Sequence, residues 1–137
     1  MAQLTTELHW QGSGLRFEGT SSRGRVELSG SGDEPGLGPS PSELMLLAVG
    51  GCTAMDVVSI LRKMRQPVEG LTVEVHGTKA DEHPRRLTSI EVVYHLTGRL
   101  DEDRVQRAID LSETKYCAME ATLRGNVELR SRYEIQP

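Results

Sequence analysis

The chain has 137 residues and a formal net charge of −4 at pH 7, and it contains no run of Lys or Arg. This length fits one domain, residues 1–137, and the charge excludes the electrostatic footprint of a nucleic-acid-binding protein. Two cysteines are too few for a disulfide-stapled secreted fold and no apolar leader opens the sequence, so we expect a cytoplasmic protein.

The first part of the chain predicts a small antiparallel sheet and then a loop. Between residues 3 and 29, apolar and polar side chains alternate in short runs, as Leu15 and Phe17 do with the charged residues beside them. Residues 30–42 are rich in Gly, Pro and Ser, a composition typical of a loop.

A long helix should follow, and its start is well marked. Ser40, Pro41 and Glu43 supply the N-cap, the first-turn proline and the third-position acid of a capping box. We expect the helix to cover residues 41–66 and to end before the next proline. Its longest apolar run, residues 44–55, is shorter than the roughly 20 residues that cross a bilayer, so we expect a buried helix and no membrane partner.

Two adjacent glycines lie near the centre of this predicted helix. Each costs roughly 1 kcal/mol relative to Ala in a helix interior, so Gly50 and Gly51 need a structural or chemical reason. Either the helix packs closely against another backbone, or the glycines clear space above Cys52 for a small substrate. With Ala48 and Ala54 they form a small-residue face, on which we expect a second copy of the chain to pack in a homodimer.

The remaining sequence predicts a hairpin, two helices and a last strand. Alternating apolar residues over 71–96 indicate the hairpin, and residues 126–135 alternate in the same way. An amphipathic helix should begin near Asp101, with a shorter helix after Cys117. The stripe of the first of these helices consists of Val105, Ala108, Ile109, Ser112 and Tyr116. This order predicts an α+β fold with mainly antiparallel sheets packed on the long central apolar helix.

The residues alone leave the chemistry of the cysteines open. Cys52 is either a buried thiol that fills the core, the commonest fate of a free cysteine, or a nucleophile. Cys117 lies near a helix boundary, and the acids Glu113 and Glu120 would raise its pKa, which suits a resolving thiol better than a first nucleophile. The four histidines have no metal-ligand spacing, so we predict neither a metal nor a cofactor.

Two local motifs add a resemblance to this reading. They are PSELMLLAVGGCTAMDVVSIL around Cys52 and SETKYCAMEATL around Cys117. In this order of elements they resemble the OsmC/Ohr family of thiol-dependent peroxidases over nearly the whole chain, and they are most similar to its YhfA-like branch. The resemblance implies an OsmC-like fold and an intertwined homodimer with two active sites at its interface, and the family's chemistry needs no metal or flavin.

The resemblance also implies roles for individual residues. Cys52 would attack an organic hydroperoxide and become a sulfenic acid. Cys117 would condense with it to a disulfide, which an external dithiol would reduce. Arg23, with Arg25 as the second choice, would supply the cation that the reacting sulfur needs.

One position departs from the family pattern. Hydroperoxide-reducing members carry a glutamate directly after the helix-opening proline, where this chain has Ser42. Glu43 lies one residue later, about 100° round the helix, and is the acid we name as the candidate to hold the arginine. The departure keeps a second function open, in which a non-catalytic member of the family binds an apolar small ligand or senses redox state.

Overall fold

The computed structural model describes residues 1–137, and the chain forms two compact units, Met1–Met45 and Leu46–Pro137. The first unit contains three short strands, and the second contains a larger sheet with three further helical segments. The long helix α1, Pro41–Lys63, begins in the first unit and continues through the second. The mixed α+β composition and the long apolar helix confirm the predicted fold class.

The N-terminal sheet consists of β1 (Glu7–Trp10), β2 (Phe17–Ser21) and β3 (Gly24–Leu28). Both pairings are antiparallel in the order β1-β2-β3, as the alternation predicts. Three large apolar side chains of this sheet remain more than two-fifths exposed to solvent, which is a large exposed apolar surface for so short a sheet. They are Leu8, Trp10 and Val26.

Helix α1 begins with the predicted capping box. The Glu43 N–H donates to Ser40 Oγ at 3.2 Å, and the Ser40 N–H donates to Glu43 Oε1 at 3.0 Å, so two orphan donors are satisfied. The helix ends at Lys63, three residues before the predicted end. Arg65 adopts a left-handed backbone with φ of 58°, the conformation that commonly ends a helix. This end is not predicted from the sequence, because Gly is the residue usually found in that conformation.

The second unit is built on the sheet β4-β5-β6, with β4 at Gly70–Lys79, β5 at Leu87–Thr97 and β6 at Glu128–Gln136. Strands β4 and β5 form the predicted antiparallel hairpin. Strand β6 pairs parallel to β5, which differs from the expected antiparallel arrangement. The physical reason is the helical connection between them, because a crossover of this kind returns the chain to run in the same direction.

That connection contains α2 (Glu102–Leu111), a π-helical turn (Ser112–Tyr116) and α3 (Ala118–Leu123). Asp101 caps α2, because its side chain accepts a hydrogen bond from the Asp103 N–H. The apolar stripe of α2 is buried as far as Ser112, but Tyr116 is 53% exposed. The π-helical turn ends the α-helical period there, so the predicted stripe does not reach Tyr116.

The core of the second unit lies between α1, α2 and the inner face of the sheet. Each of its fully buried aliphatic side chains contributes about 1.5–3 kcal/mol relative to an exposed one. Its buried members are Val49, Val57, Leu61, Ile90, Val92, Tyr94, Leu96, Val105, Ala108 and Ile109.

Helix α1 is less buried than the sequence predicts. An 18-residue window of it has a mean hydropathy of 2.0, yet only 28% of that window is buried within the chain. By length and composition alone α1 is long and apolar enough to cross a membrane, a property that core helices of soluble proteins share. The apolar face that α1 leaves exposed includes Met45, Leu47 and Met55.

Candidate functional site

The structure brings the two cysteines together, although they are far apart in the sequence. Cys52 lies in the middle of α1 and is partly exposed, whereas Cys117 is 2% exposed and lies between the π-helical turn and α3. The Cys52 thiol is near enough to raise the pKa of the Cys117 thiol, and both cysteines are free. A thiol that is accessible and a thiol that is buried therefore meet at one site.

The backbone around Cys117 fixes its sulfur. The Cys117 N–H donates to the Ser112 carbonyl at 2.7 Å, which is the bond that forms the π-helical turn. The Cys117 Sγ in turn accepts the Glu120 N–H at 3.4 Å and serves as the N-cap of α3. π-helical turns are frequent at functional sites, because they change the direction in which the following side chains point.

Burial raises the pKa of the Cys117 thiol to about 11, and the Cys52 thiol adds to the increase. The backbone N–H groups of Glu120 and Met119 oppose the increase, because they favour the thiolate. The predicted direction of the shift is therefore right, but the predicted cause is wrong. Desolvation and the neighbouring thiol, rather than acidic side chains, keep Cys117 protonated.

A buried polar cluster adjoins the cysteines, and we call it the Tyr94 cluster: Thr53, Tyr94, Glu113 and Glu120. Tyr94 and Thr53 are fully buried and Glu120 is 2% exposed. Burial is the largest cause that raises the pKa of the Tyr94 hydroxyl. The charges of Glu113, Glu120 and Cys117 raise it further. Two polar atoms of the cluster, Tyr94 Oη and Glu120 Oε2, have no hydrogen-bond partner.

Thr53 lies beside the Tyr94 hydroxyl and opposes part of the increase in its pKa, but its own hydroxyl proton has other acceptors. Its Oγ1 hydroxyl donates instead to the carbonyls of Val49 and Gly50, at 3.3 and 3.2 Å. Thr53 follows Cys52 directly, so the same turn of α1 carries a cysteine and a buried hydroxyl on adjacent positions. Thr53 and Tyr94 were not predicted as site residues, because nothing in a strand or helix pattern marks a buried hydroxyl as functional.

A hydrogen bond ties the turn before Cys117 to the cysteine helix. The Ser112 Oγ donates to Asp56 Oδ2 at 2.9 Å. Asp56 stands four positions after Cys52, one helical turn along α1, and Ser112 carries the carbonyl that holds the Cys117 N–H. This bond therefore fixes the distance between the two segments that carry the cysteines. In the sequence, the four-residue spacing of Cys52 and Asp56 was the signal that could have identified Asp56.

The two glycines of α1 have different surroundings. A Cβ added at Gly50 would lie 2.6 Å from Cγ2 of Val75, so this glycine lets α1 pack closely on β4. A Cβ added at Gly51 would meet nothing within 4 Å, so open space lies beside it. The close-packing hypothesis describes Gly50, and the open-space hypothesis describes Gly51.

The other predicted site residues lie in the first unit. Arg23 follows β2 in the turn to β3, where its N–H donates to Ser21 Oγ at 3.1 Å, and Arg25 lies on β3; both are exposed. Glu43 is the capping acid of α1, and the Ser40 N–H lowers the pKa of its carboxyl. The roles of Arg23 and Glu43 toward Cys52 stay predictions.

Two of the histidines lie on the polar face of the second sheet and contact carboxylates. His95 Nε2 is 2.6 Å from Glu74 Oε1, and His95 Nδ1 is 3.3 Å from Glu134 Oε2. His76 contacts the other oxygen of Glu74 at 3.2 Å. The contacts of His95 cross between strands, whereas His76 and Glu74 both lie on β4. The two histidines lower the pKa of the Glu74 carboxyl, and the bond with His95 is the largest cause. No group of three His, Cys, Asp or Glu side chains is arranged to hold a metal ion.

Comparisons with known proteins agree with this architecture. The OsmC-like protein family matches residues 30–132. Protein YhfA of Escherichia coli (strain K12) is 42% identical over 125 residues, covering 89% of this chain and 91% of YhfA. A hypothetical protein from Aquifex aeolicus VF5 superposes with a TM-score of 0.89 at 29% identity, covering 99% of this chain and 98% of its own.

A more distant solved structure shares the fold. An organic hydroperoxide resistance protein OsmC from Legionella pneumophila superposes with a TM-score of 0.73 at 14% identity, covering 100% of this chain and 98% of its own. The family match spans three-quarters of the chain, and the YhfA relative aligns along almost all of both sequences. The chain therefore belongs to the OsmC/Ohr family, in its YhfA-like branch.

Proposed function

We propose that this protein reduces organic hydroperoxides with its two cysteines and serves in oxidative-stress defence. The observation that carries the proposal is the meeting of a partly exposed Cys52 with a buried Cys117 whose pKa is raised to about 11. The solved relatives named as organic hydroperoxide resistance proteins support a redox role of this kind.

The proposed reaction has two steps in the protein. The Cys52 thiolate attacks the terminal peroxide oxygen, the O–O bond breaks, and the alcohol leaves with Cys52 as a sulfenic acid. The Cys117 sulfur then attacks the Cys52 sulfur, the S–O bond breaks, water leaves, and a disulfide joins the two residues. An external dithiol reduces that disulfide by thiol–disulfide exchange and resets the site.

The different surroundings of the two thiols support this division of roles. A peroxide reaches the more accessible sulfur first, and a thiol held protonated by burial is a slow nucleophile toward peroxide. Cys117 reacts well only once a sulfenic acid has formed beside it, since proximity then replaces a bimolecular encounter. We assign the attack on peroxide to Cys52 for this reason.

A cation is the remaining requirement, because negative charge develops on the leaving oxygen. We propose Arg23 for this role, with Arg25 as the second choice and Glu43 as the acid that orients the guanidinium. The Glu43 carboxylate has an oxygen occupied by the Ser40 N–H, which leaves its second oxygen for a guanidinium. No metal or organic cofactor enters this scheme.

We also propose that the working form is a homodimer. An apolar groove of about 590 Å³ runs along α1 and is lined by Ala54, Met55, Val58 and Leu71. Together with the largely unburied α1, it presents more apolar surface than a single chain of this size keeps in water. A second copy of the chain would cover this exposed apolar surface, and we place the dimer in the cytoplasm.

Peroxide kinetics test the activity. Reduced protein is mixed with cumene hydroperoxide, quenched by alkylation at set times, and analysed by mass spectrometry for the state of each cysteine. We expect Cys52 to oxidise far faster than free cysteine, Cys52→Ser to abolish peroxide consumption, and Cys117→Ser to accumulate a sulfenic acid that dimedone traps. Oxidation of Cys52 at the rate of free cysteine would overturn the proposal.

The arginine assignment has its own matched pair. Arg23→Gln and Arg25→Gln remove the same charge from neighbouring exposed positions. We expect Arg23→Gln to slow Cys52 oxidation by at least tenfold and Arg25→Gln to change it little. The reverse ranking would transfer the role to Arg25, and no effect from either would remove arginine from the mechanism.

A second function is favoured by Ser42, which stands where active members carry an acid, while the neighbouring Glu43 caps the helix. In that alternative the protein binds an apolar small ligand or senses redox state. Native mass spectrometry of freshly purified protein distinguishes the two, because a ligand-binding protein retains a small molecule and oxidises no faster than free cysteine. Consistently empty protein with fast Cys52 oxidation would exclude it.

A further inference from the structure

The carboxyl of Glu120 is buried without a complete set of partners, and its position is unusual for an acid. Its side chain is 2% exposed, and Oε2 has no hydrogen-bond partner. An ionisable group is rarely left in this state, because burying an unpaired polar atom costs free energy that folding must recover elsewhere.

The chain contains a second acid with the same local spacing, and the comparison is informative. Ser40 and Glu43 are three residues apart at the start of α1 and form both bonds of a capping box. Cys117 and Glu120 have the same spacing at the start of α3, and the Glu120 N–H donates to the Cys117 sulfur. The first half of a capping box is therefore present at Cys117.

The second half cannot form. In a complete box the third-position acid accepts the N–H of the cap residue, but the Cys117 N–H already donates to the Ser112 carbonyl. The π-helical turn thus occupies the donor that Glu120 would use. Side chains in a helix lean toward its N-terminus, and in α3 that end is Cys117.

The surroundings of Glu120 hold it near the balance between acid and carboxylate. Burial is the largest cause that raises its pKa to about 7, the charge of Glu113 raises it further, and the charge of Arg124 lowers it. Tyr94 and Cys117 face the same cluster, and the Tyr94 hydroxyl is itself without a partner. A carboxyl with this pKa exchanges a proton readily near neutral pH.

We propose that Glu120 accepts the proton of the Cys117 thiol when the Cys117 sulfur attacks Cys52. The inference rests on the proposed disulfide between these two residues. In that step the S–H bond of Cys117 breaks and its electron pair forms the S–S bond, while the S–O bond of the Cys52 sulfenic acid breaks. Glu120 passes the proton to the departing hydroxide, which leaves as water, so that Cys117 is oxidised and the Cys52 sulfur is reduced.

This role solves a problem that burial creates. A thiol with a pKa of about 11 is almost entirely protonated at neutral pH, so Cys117 needs a base at the moment of attack. Glu113 is the other acid of the cluster, but it is only half-buried and its Oε1 accepts the Ser131 hydroxyl at 2.5 Å. Glu120 is the acid of the cluster with a free oxygen, and it lies in the same helical turn as the sulfur it serves.

The test follows the Cys117 attack without any peroxide. Reduced protein is treated with one equivalent of 5,5′-dithiobis(2-nitrobenzoic acid), which places thionitrobenzoate on the accessible Cys52, and attack by Cys117 releases the second thionitrobenzoate. We expect the rate of this release to rise with pH to a plateau above about 7. In Glu120→Gln the rate should fall at least tenfold at pH 7, and its rise should move toward the pH range of the Cys117 thiol.

Two further variants sharpen the outcome. Glu120→Asp keeps a carboxylate and should recover part of the rate. Glu113→Gln removes the charge that raises the Glu120 pKa, so the inflection should move to lower pH without a large loss at the plateau. An unchanged rate and pH profile in Glu120→Gln would overturn this role and leave the proposed function standing, whereas wild-type protein that never releases the second thionitrobenzoate would overturn both.

A stability measurement shows whether the Glu120→Gln variant is folded. The folded-state pKa of Glu120 lies above its unfolded value, so its favourable contribution is present below pH 4.5 and is lost as pH rises through about 7. The urea midpoint of Glu120→Gln, relative to that of the wild type, should therefore increase as the pH rises from 4.5 through about 7. A folded variant with this gain and with the slowed release supports the role, and a constant difference in midpoint between pH 4.5 and 8 contradicts the titration on which it depends.

Discussion

A side chain at Gly50 would collide with Val75, since an added Cβ would lie 2.6 Å from the Val75 Cγ2 atom. The glycine therefore sets the distance between α1 and β4, and with it the depth at which α1 holds Cys52. A helix carrying Ala at this position would have to move away from the sheet or push a β-branched side chain out of its rotamer.

We expect Gly50→Ala to lower the free energy of unfolding by up to about 2 kcal/mol, because the gain of roughly 1 kcal/mol in helix propensity offsets only part of an overpacking cost of about 1–3 kcal/mol. Urea denaturation of the single and double variants checks this. Adding Val75→Ala to Gly50→Ala should recover part of the loss. Gly51→Ala is the matched control and should show no coupling with Val75→Ala; equal coupling at both glycines would contradict the contact.

The buried Cys117 should alkylate slowly and with a displaced pH profile. Its pKa is raised to about 11 by burial and by the neighbouring Cys52 thiol, so at pH 9 about one molecule in a hundred carries the thiolate. We expect the iodoacetamide rate at Cys117 to keep rising through pH 10, and urea-unfolded protein to provide the control with an ordinary profile. A plateau near pH 9 in the folded protein, measured by peptide mass spectrometry, would contradict this environment.

Substitutions in the capping box of α1 separate an effect on the free energy of unfolding from an effect on Cys52 oxidation. Ser40→Ala removes an acceptor of the capping box and should lower the free energy of unfolding by about 1 kcal/mol, as thermal or urea unfolding can show. Glu43→Gln keeps an oxygen that can accept the Ser40 N–H and should remain close to the wild type in stability. If Glu43→Gln nevertheless slows Cys52 oxidation, Glu43 holds the arginine as well as the helix end.

The exposed face of α1 predicts the oligomeric state. Met55 is 75% exposed and lines the groove along the helix, so Met55→Glu should place a charge inside the proposed dimer interface and shift the protein to a monomer. Analytical ultracentrifugation measures this. Met119→Glu introduces the same charge on α3 at a residue that is 37% exposed, and this control should remain dimeric. A wild type that is monomeric at micromolar concentration would contradict the interface.

Much of the fold was predictable because its signals are local. Alternation along the strands and the capping box at Ser40 depend on neighbouring residues, and the structure confirms them. The helix end at Arg65 and the turn after Leu111 were misjudged, because a left-handed arginine and a π-helical turn leave no compositional mark. The parallel pairing of β6 was also missed, since strand direction depends on the whole crossover.

The sequence by itself pointed to the residues to which we assign the chemistry. Cys52 and Cys117 were identified from their motifs, and the family follows from the same motifs. Only the tertiary structure decided how they act together, because Asp56 and Ser112 join segments that lie far apart in the chain. It also decided the state of Glu120: the π-helical turn takes the backbone donor that this acid would otherwise accept, and its carboxyl is left buried with an oxygen that has no partner.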